Sequence, residues 1–152
     1  NKMAAGKNRS SIPFFEIALN NSSVGQYAHG FLIVVYEKLG QSDLATFHAQ
    51  ELGKLLPGRE SHDYVPVFVK RPKYPIGAQR AGKEGYVIVE VTISKKGLAI
   101  DPVIVEANPP TYGFSKAAIQ ASQGLRFVPQ FTDGEAVEVP GILYKYTFQM
   151  AR

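Results

Sequence analysis

The amino-acid sequence predicts an α+β fold in which an α-helical hairpin precedes a three-stranded antiparallel sheet packed on a helix. Three observations carry this. Between residues 23 and 56 the apolar side chains recur at helical spacing. From Tyr86 to Ser94 (YVIVEVTIS) they alternate strictly, as on a half-buried strand. A helix-spaced segment, Phe114 to Gln123, and a second alternating run, Val139 to Met150, then follow.

In the first half, Leu32, Val35, Tyr36 and Leu39 mark the buried stripe of one helix, over residues 23–39. Leu44, Phe47, Leu52, Leu55 and Leu56 mark that of a second, over residues 42–56. Gly40 separates the two, Ser42 stands where an N-cap is needed, and Pro57-Gly58 ends the second helix. Arg59 to Tyr64 is polar and aperiodic, a linker. The expected organisation is therefore a helical region over residues 1–58, a linker over 59–64 and a second domain over 65–152.

The second domain opens with Arg71-Pro72-Lys73-Tyr74-Pro75, held extended by its prolines, and a short helix from Ile76 to Ala81 ends at Gly82. The strand that follows turns Val87, Val89, Val91 and Ile93 to one face. Lys95-Lys96-Gly97 supplies a hairpin loop into a strand over Leu98 to Glu106, where Pro102 lacks a ladder donor and belongs at a bulge or with its nitrogen away from the partner. Phe114, Ala117, Ala118, Ala121 and Leu125 line the long helix, capped by Gly124. A turn at Asp133-Gly134 leads into the last strand, with Ile142, Tyr144, Tyr146, Phe148 and Met150 on the core face.

Composition narrows the function. The 152 residues, 45% hydrophobic and 20% charged, suit one ordinary domain or two small ones. The longest apolar run, Phe31 to Tyr36, falls far short of the roughly 18 residues a bilayer span requires. The chain begins at Asn1 with no signal-like succession and reads as a mature or trimmed fragment, leaving an upstream anchor open. With no cysteine there is no disulfide, thiol nucleophile or thiolate metal site. His29, His48 and His62 lack ligand spacing and read as surface or partly packed residues. Gly82-Lys83-Glu84-Gly85 leads into a strand, not a helix, and is a turn instead of an anion loop. No catalytic, metal or cofactor residue is expected, and the chain is read as a non-enzyme.

The net charge of +4 is uneven. Residues 1–63 carry six basic and six acidic side chains, and residues 64–152 carry eleven and seven. Lys70, Arg71, Lys73, Arg80 and Lys83 form a strip without an acid, either a solvated surface or a footprint for an acidic partner. Nucleic acid is not expected, since no recognition motif accompanies the strip.

Two resemblances add to this reading. Leu32, Tyr36, Gly40, Ala45 and Pro57 resemble the consensus of a tetratricopeptide repeat, and Pro13 to Leu19 (PFFEIAL) fits the end of a preceding repeat in the same register. The resemblance implies the end of a longer array and would turn Tyr27, Gly30, Val34 and Glu37 toward a groove. An unrelated helical hairpin has the same core spacing. More extensively, residues 65–152 resemble the TonB C-terminal domain: Tyr74-Pro75, Ala78, Gly85, Gly97, Ala117-Ala118, Arg126-Phe127, Pro129, Gly134 and Phe148 stand in its order. Leu125 departs from the tryptophan common there.

That resemblance implies a periplasmic, envelope-associated protein, anchored to the inner membrane only if residues upstream of this chain do so. It implies binding of the N-terminal segment of outer-membrane transporters by strand addition, in energy-coupled uptake, and contact with an inner-membrane proton-driven complex through upstream residues. An exposed sheet edge suits that mode. The expected partner-binding residues are Arg71 and Lys73 together with Leu143, Tyr144, Lys145, Tyr146, Thr147, Phe148 and Gln149 on the last strand. Two alternatives stand: the edge pairs with a second copy of the chain as a homodimer, or the protein is a repeat-containing envelope scaffold without energy transduction.

Overall fold

A computed structural model describes residues 25–56, 58–59 and 63–151. The expectations for Pro13 to Leu19, Pro57 and His62 lie outside them. Helices α1 (Gly25–Lys38) and α2 (Ser42–Leu55) form the hairpin. Helix α3 (Ile76–Arg80), strands β1 (Gly85–Ile93) and β2 (Ala99–Asn108), helix α4 (Phe114–Ser122), strands β3 (Gln130–Thr132) and β4 (Glu135–Val137), and strand β5 (Val139–Phe148) follow. Among the described residues no helix is long and apolar enough to cross a membrane.

The main sheet has the order β2-β1-β5, antiparallel throughout, with β1 central. One face is apolar because alternation puts Val87, Val89, Val91 and Ile93 on the same side of β1. They bury against Phe114, Ala117, Ala118 and Ala121 of α4, with Leu125, Phe127, Ile142, Tyr146 and Phe148. Phe114 packs on Phe148 at 4.7 Å between ring centroids. Leu125, the departure from the tryptophan that the TonB resemblance implies, is fully buried.

Pro102 sits in a bulge: Glu90 pairs with Val103 and Thr92 with Ile100, so Asp101 and Pro102 together face Val91. Asp101 takes φ 52° there. The turn expected at Asp133-Gly134 closes the short β3–β4 hairpin, whose three-residue strands the alternation does not reveal. The last strand ends at Phe148, two residues short of the expected Met150.

The hairpin departs from expectation in which face of α2 is buried. Leu44, Phe47 and Leu55 are exposed, whereas Ala45, His48, Ala49, Leu52 and Gly53 are buried. Close approach is the reason. Ala45, Ala49 and Gly53, at i, i+4 and i+8, let α2 lie against its neighbours, and a Cβ on Gly53 would stand 2.5 Å from the Pro129 carbonyl oxygen. Gln41, not Ser42, occupies the N-cap position and makes no side-chain cap bond. His48 is fully packed, stacked on Tyr36 at 5.5 Å, with its Nδ1 3.0 Å from Nδ1 of His29.

Hairpin and sheet domain also share apolar packing. Leu32, Ile33, Tyr36, Ala45, Ala49 and Leu52 form one cluster with Val128, and Val67 packs on it. In the polar segment between them, Arg59 donates to the carbonyls of Val128 and Pro129, each at 3.0 Å, and Tyr64 enters the sheet core, its hydroxyl donating to Gln130 Oε1 at 2.8 Å.

Candidate functional site

The two outer edges of the sheet are not equivalent. Along β2 the register breaks twice, between Ile88 and Val89 and between Glu90 and Thr92 of its partner, and Pro102 removes one donor. Along β5 the seven residues from Ile142 to Phe148 pair one for one with Val91 to Gly85. The single irregularity on that side lies earlier, at Pro140-Gly141, where Gly141 has φ 77°. Among the described residues nothing pairs with the outer side of β5. An unbroken strand with one unpaired edge is a template for another extended chain.

The β5 side chains follow the alternation. Ile142, Tyr146 and Phe148 are buried and Tyr144 is half-buried, while Leu143, Lys145 and Thr147 are exposed on the open face. Lys145 lies over the ring of Tyr86 on β1, its Nζ 4.5 Å from the centroid. Gln149 stands just past the end of the strand, so its expected share in the ladder shortens to Leu143–Phe148.

Of the residues expected from the sequence, Arg71, Lys145, Thr147, Phe148 and Gln149 meet at the C-terminal end of β5, Leu143, Tyr144 and Tyr146 lie further back along the strand, and Lys73 lies elsewhere. Arg71, Pro72, Tyr74, Thr147, Phe148, Gln149, Met150 and Ala151 line a hollow of about 520 Å³ there. Beside it, Glu84, Gly85, Tyr86, Asn108, Lys145 and Thr147 border a second, shallower one. Tyr74 is fixed at this end: its ring meets Phe148 edge-on at 5.8 Å and its hydroxyl donates to the Lys83 carbonyl. Glu84, expected only as part of a turn, accepts the Met150 N–H at 2.7 Å and so ties down the chain as it leaves β5. Lys73 lies in a separate hollow with Tyr74, Pro75, Ile76, Gly113, Lys116 and Ala117, on the α4 side.

Tyr146 holds the one polar atom of β5 that is buried without a partner, its hydroxyl. Burial, with Tyr144 beside it, pushes that phenol well above its ordinary range, so it stays neutral. Tyr146→Phe is therefore expected to stabilise the fold by roughly 1 kcal/mol, because it removes an unsatisfied buried group and keeps the ring; urea denaturation measures this. Among the described residues no cluster of three or more His, Cys, Asp or Glu could hold a metal ion.

A sequence profile of the family described as Gram-negative bacterial TonB protein C-terminal matches residues 70–150. The helical hairpin lies outside that match. Among solved structures, the chain is similar to the C-terminal domain of Pseudomonas aeruginosa TonB, at 30% identity, covering 59% of this chain and 89% of that one, with a TM-score of 0.48. It is also similar to the TonB2 protein of Vibrio anguillarum, at 34% identity, covering 64% and 92%, with a TM-score of 0.45. No curated protein matches. The family match covers more than half of the sequence and includes α3, the whole three-stranded sheet and the residues around Arg71: this chain belongs to the TonB C-terminal domain family.

Proposed function

We propose that the protein is a periplasmic coupler that binds the N-terminal segment of outer-membrane transporters as a fourth strand along β5, in energy-coupled uptake. The observation that carries this reading is the uninterrupted edge from Ile142 to Phe148, set against the broken register of β2. In strand addition the main-chain bonds supply affinity and tolerate many sequences, and flanking side chains supply selectivity. Arg71 and Lys145 are the cations at the β5 end, and they suit a segment with acidic residues. The inner-membrane proton-driven complex, reached through residues upstream of this chain, belongs to the same reading.

Thr147→Pro tests it. Thr147 is exposed, so the change removes a main-chain donor without emptying the core. Tyr146→Pro probes the opposite parity of the ladder. At least one folded variant is expected to bind a synthetic transporter N-terminal peptide ten times more weakly than the parent. Parental affinity in both folded variants would rule out the β5 edge. A parent that binds no such peptide and sediments as a strand-paired dimer would assign the edge to self-association.

The separation of Arg71 from Lys73 makes a second test. Charges at the rim of an interface act mainly on encounter rate. Arg71→Glu is expected to slow association with an acidic peptide several-fold at low salt and to flatten its salt dependence, and Lys73→Glu to change it much less. Equal effects in stopped-flow measurements would return both residues to one undivided basic strip.

The docked hairpin favours a second reading, an envelope scaffold whose helices extend a repeat array. A longer repeat array upstream, with no membrane helix, would support that reading over energy transduction.

A further inference from the structure

Arg126 has no exposed side-chain surface, and its guanidinium is spent on the hairpin. Nε and Nη2 both donate to Glu37 Oε1, at 2.9 and 2.6 Å. Nη2 also donates to Ser42, to its hydroxyl oxygen at 3.0 Å and its carbonyl at 3.3 Å, and Nη1 donates to Thr46 Oγ1 at 2.9 Å. These three partners come from the last turn of α1 and the first turns of α2. The remaining side-chain bond, from Nη1 to the Lys96 carbonyl at 2.8 Å, holds the β1–β2 turn. The backbone of Arg126 is itself bonded in both directions to Phe68, so the residue is fixed before its side chain reaches out.

Two further contacts act in the same place. Gln50 of α2 donates to the Lys95 carbonyl at 3.2 Å. Gly53 brings α2 against Pro129 and Phe131 so closely that any side chain would collide with them. Tethered domains in one chain ordinarily move relative to each other unless the interface is large and apolar. Here a shared apolar cluster, a forked and charge-assisted set of hydrogen bonds, and a glycine contact coincide.

We propose that the helical hairpin and the TonB-type domain form one rigid body, with Arg126 as the residue that positions the hairpin. The hairpin is seated on the Lys95–Gly97 turn at one end of β1, and the hollow beside Arg71 lies at the other, next to Gly85. The hairpin is thus a fixed arm that leaves the C-terminal end of β5 uncovered. Whatever is attached through the helices is held at a set distance and angle from that edge. The inference rests on the packing alone and stands whether or not β5 binds a peptide.

The chain contains no cysteine, so spin labels can be placed at will. With labels at Lys38→Cys, at the exposed end of α1, and Glu90→Cys, on the open face of the sheet, pulsed dipolar spectroscopy of the full chain is expected to give one narrow distance distribution. Arg126→Met and, separately, Gly53→Val are expected to broaden it while the amide spectrum of β1 and β5 stays that of the parent. Arg126→Lys, which keeps the charge and loses the fork, is expected to restore the narrow distribution only in part. Gly53→Val leaves the sheet residues untouched and keeps the test open if Arg126→Met does not fold. A broad distribution in the parent, or a parental one in both variants, would overturn the proposal.

Discussion

Replacing Arg126 by methionine is expected to lower the unfolding free energy by roughly 3–5 kcal/mol, the range for removing one partner of a buried ion pair. Methionine occupies much of the same volume, so the loss is chiefly electrostatic. It leaves Glu37 without its cation, and the Ser42 and Thr46 hydroxyls and the Lys96 carbonyl without a donor. Glu37→Gln should cost far less, about 1 kcal/mol, because an amide oxygen still accepts from the guanidinium. The two partners also differ in burial: Glu37 retains 17% exposure against none for Arg126. Water can therefore recover part of the loss on the acid's side. Chemical denaturation of both variants and of the double mutant measures the coupling. An Arg126→Met protein within 1 kcal/mol of the parent would mean that the network contributes little.

The second large effect is expected at Gly97. Its φ of 84° lies in the left-handed region, which costs a residue with a Cβ roughly 1–2 kcal/mol. Its position adds more, because a Cβ would stand 2.2 Å from the Phe127 carbonyl oxygen and 3.2 Å from Pro129. Neither can swing aside, since Phe127 N–H donates to the Gly97 oxygen at 2.7 Å and fixes the two segments together. Gly97→Ala should cost about 3 kcal/mol in total, strain and collision combined. Gly134→Ala is the control: φ is 81° and nothing lies within 4 Å, so only the conformational part, about 1 kcal/mol, remains. Similar losses in the two variants would show that the contact with Phe127 is not tight.

How far these effects could be read in advance depends on the range of the interaction. Alternation in YVIVEVTIS and in the last strand placed Val87, Val89, Val91, Ile93, Ile142, Tyr146 and Phe148 on the core face, because period two leaves a strand no other way to bury one side. Pro102 announced its bulge through its missing donor. The stripe on α2 was misread for a physical reason: large apolar residues dominate a periodicity count, yet the close face was made by Ala45, Ala49 and Gly53, and Leu44, Phe47 and Leu55 were left outside. Arg126 was legible only as a landmark of the TonB resemblance. Its partner Glu37 is 89 residues away, and no local pattern couples an arginine in an apolar run to the end of a distant helix. At the candidate site, Arg71 reached the end of β5 and Lys73, two residues on, reached α4, a divergence that the sequence strip does not encode.

The central claim is that β5 receives another strand, and amide hydrogen exchange of the full chain with and without a transporter N-terminal peptide tests it most directly. Main-chain pairing protects amides that point outward from an edge, so protection should rise at alternate residues between Leu143 and Phe148 and stay unchanged along β2 and in the helical hairpin. Protection that appears instead between Ala99 and Asn108, or within α1 and α2, or nowhere while the peptide is bound, would contradict it.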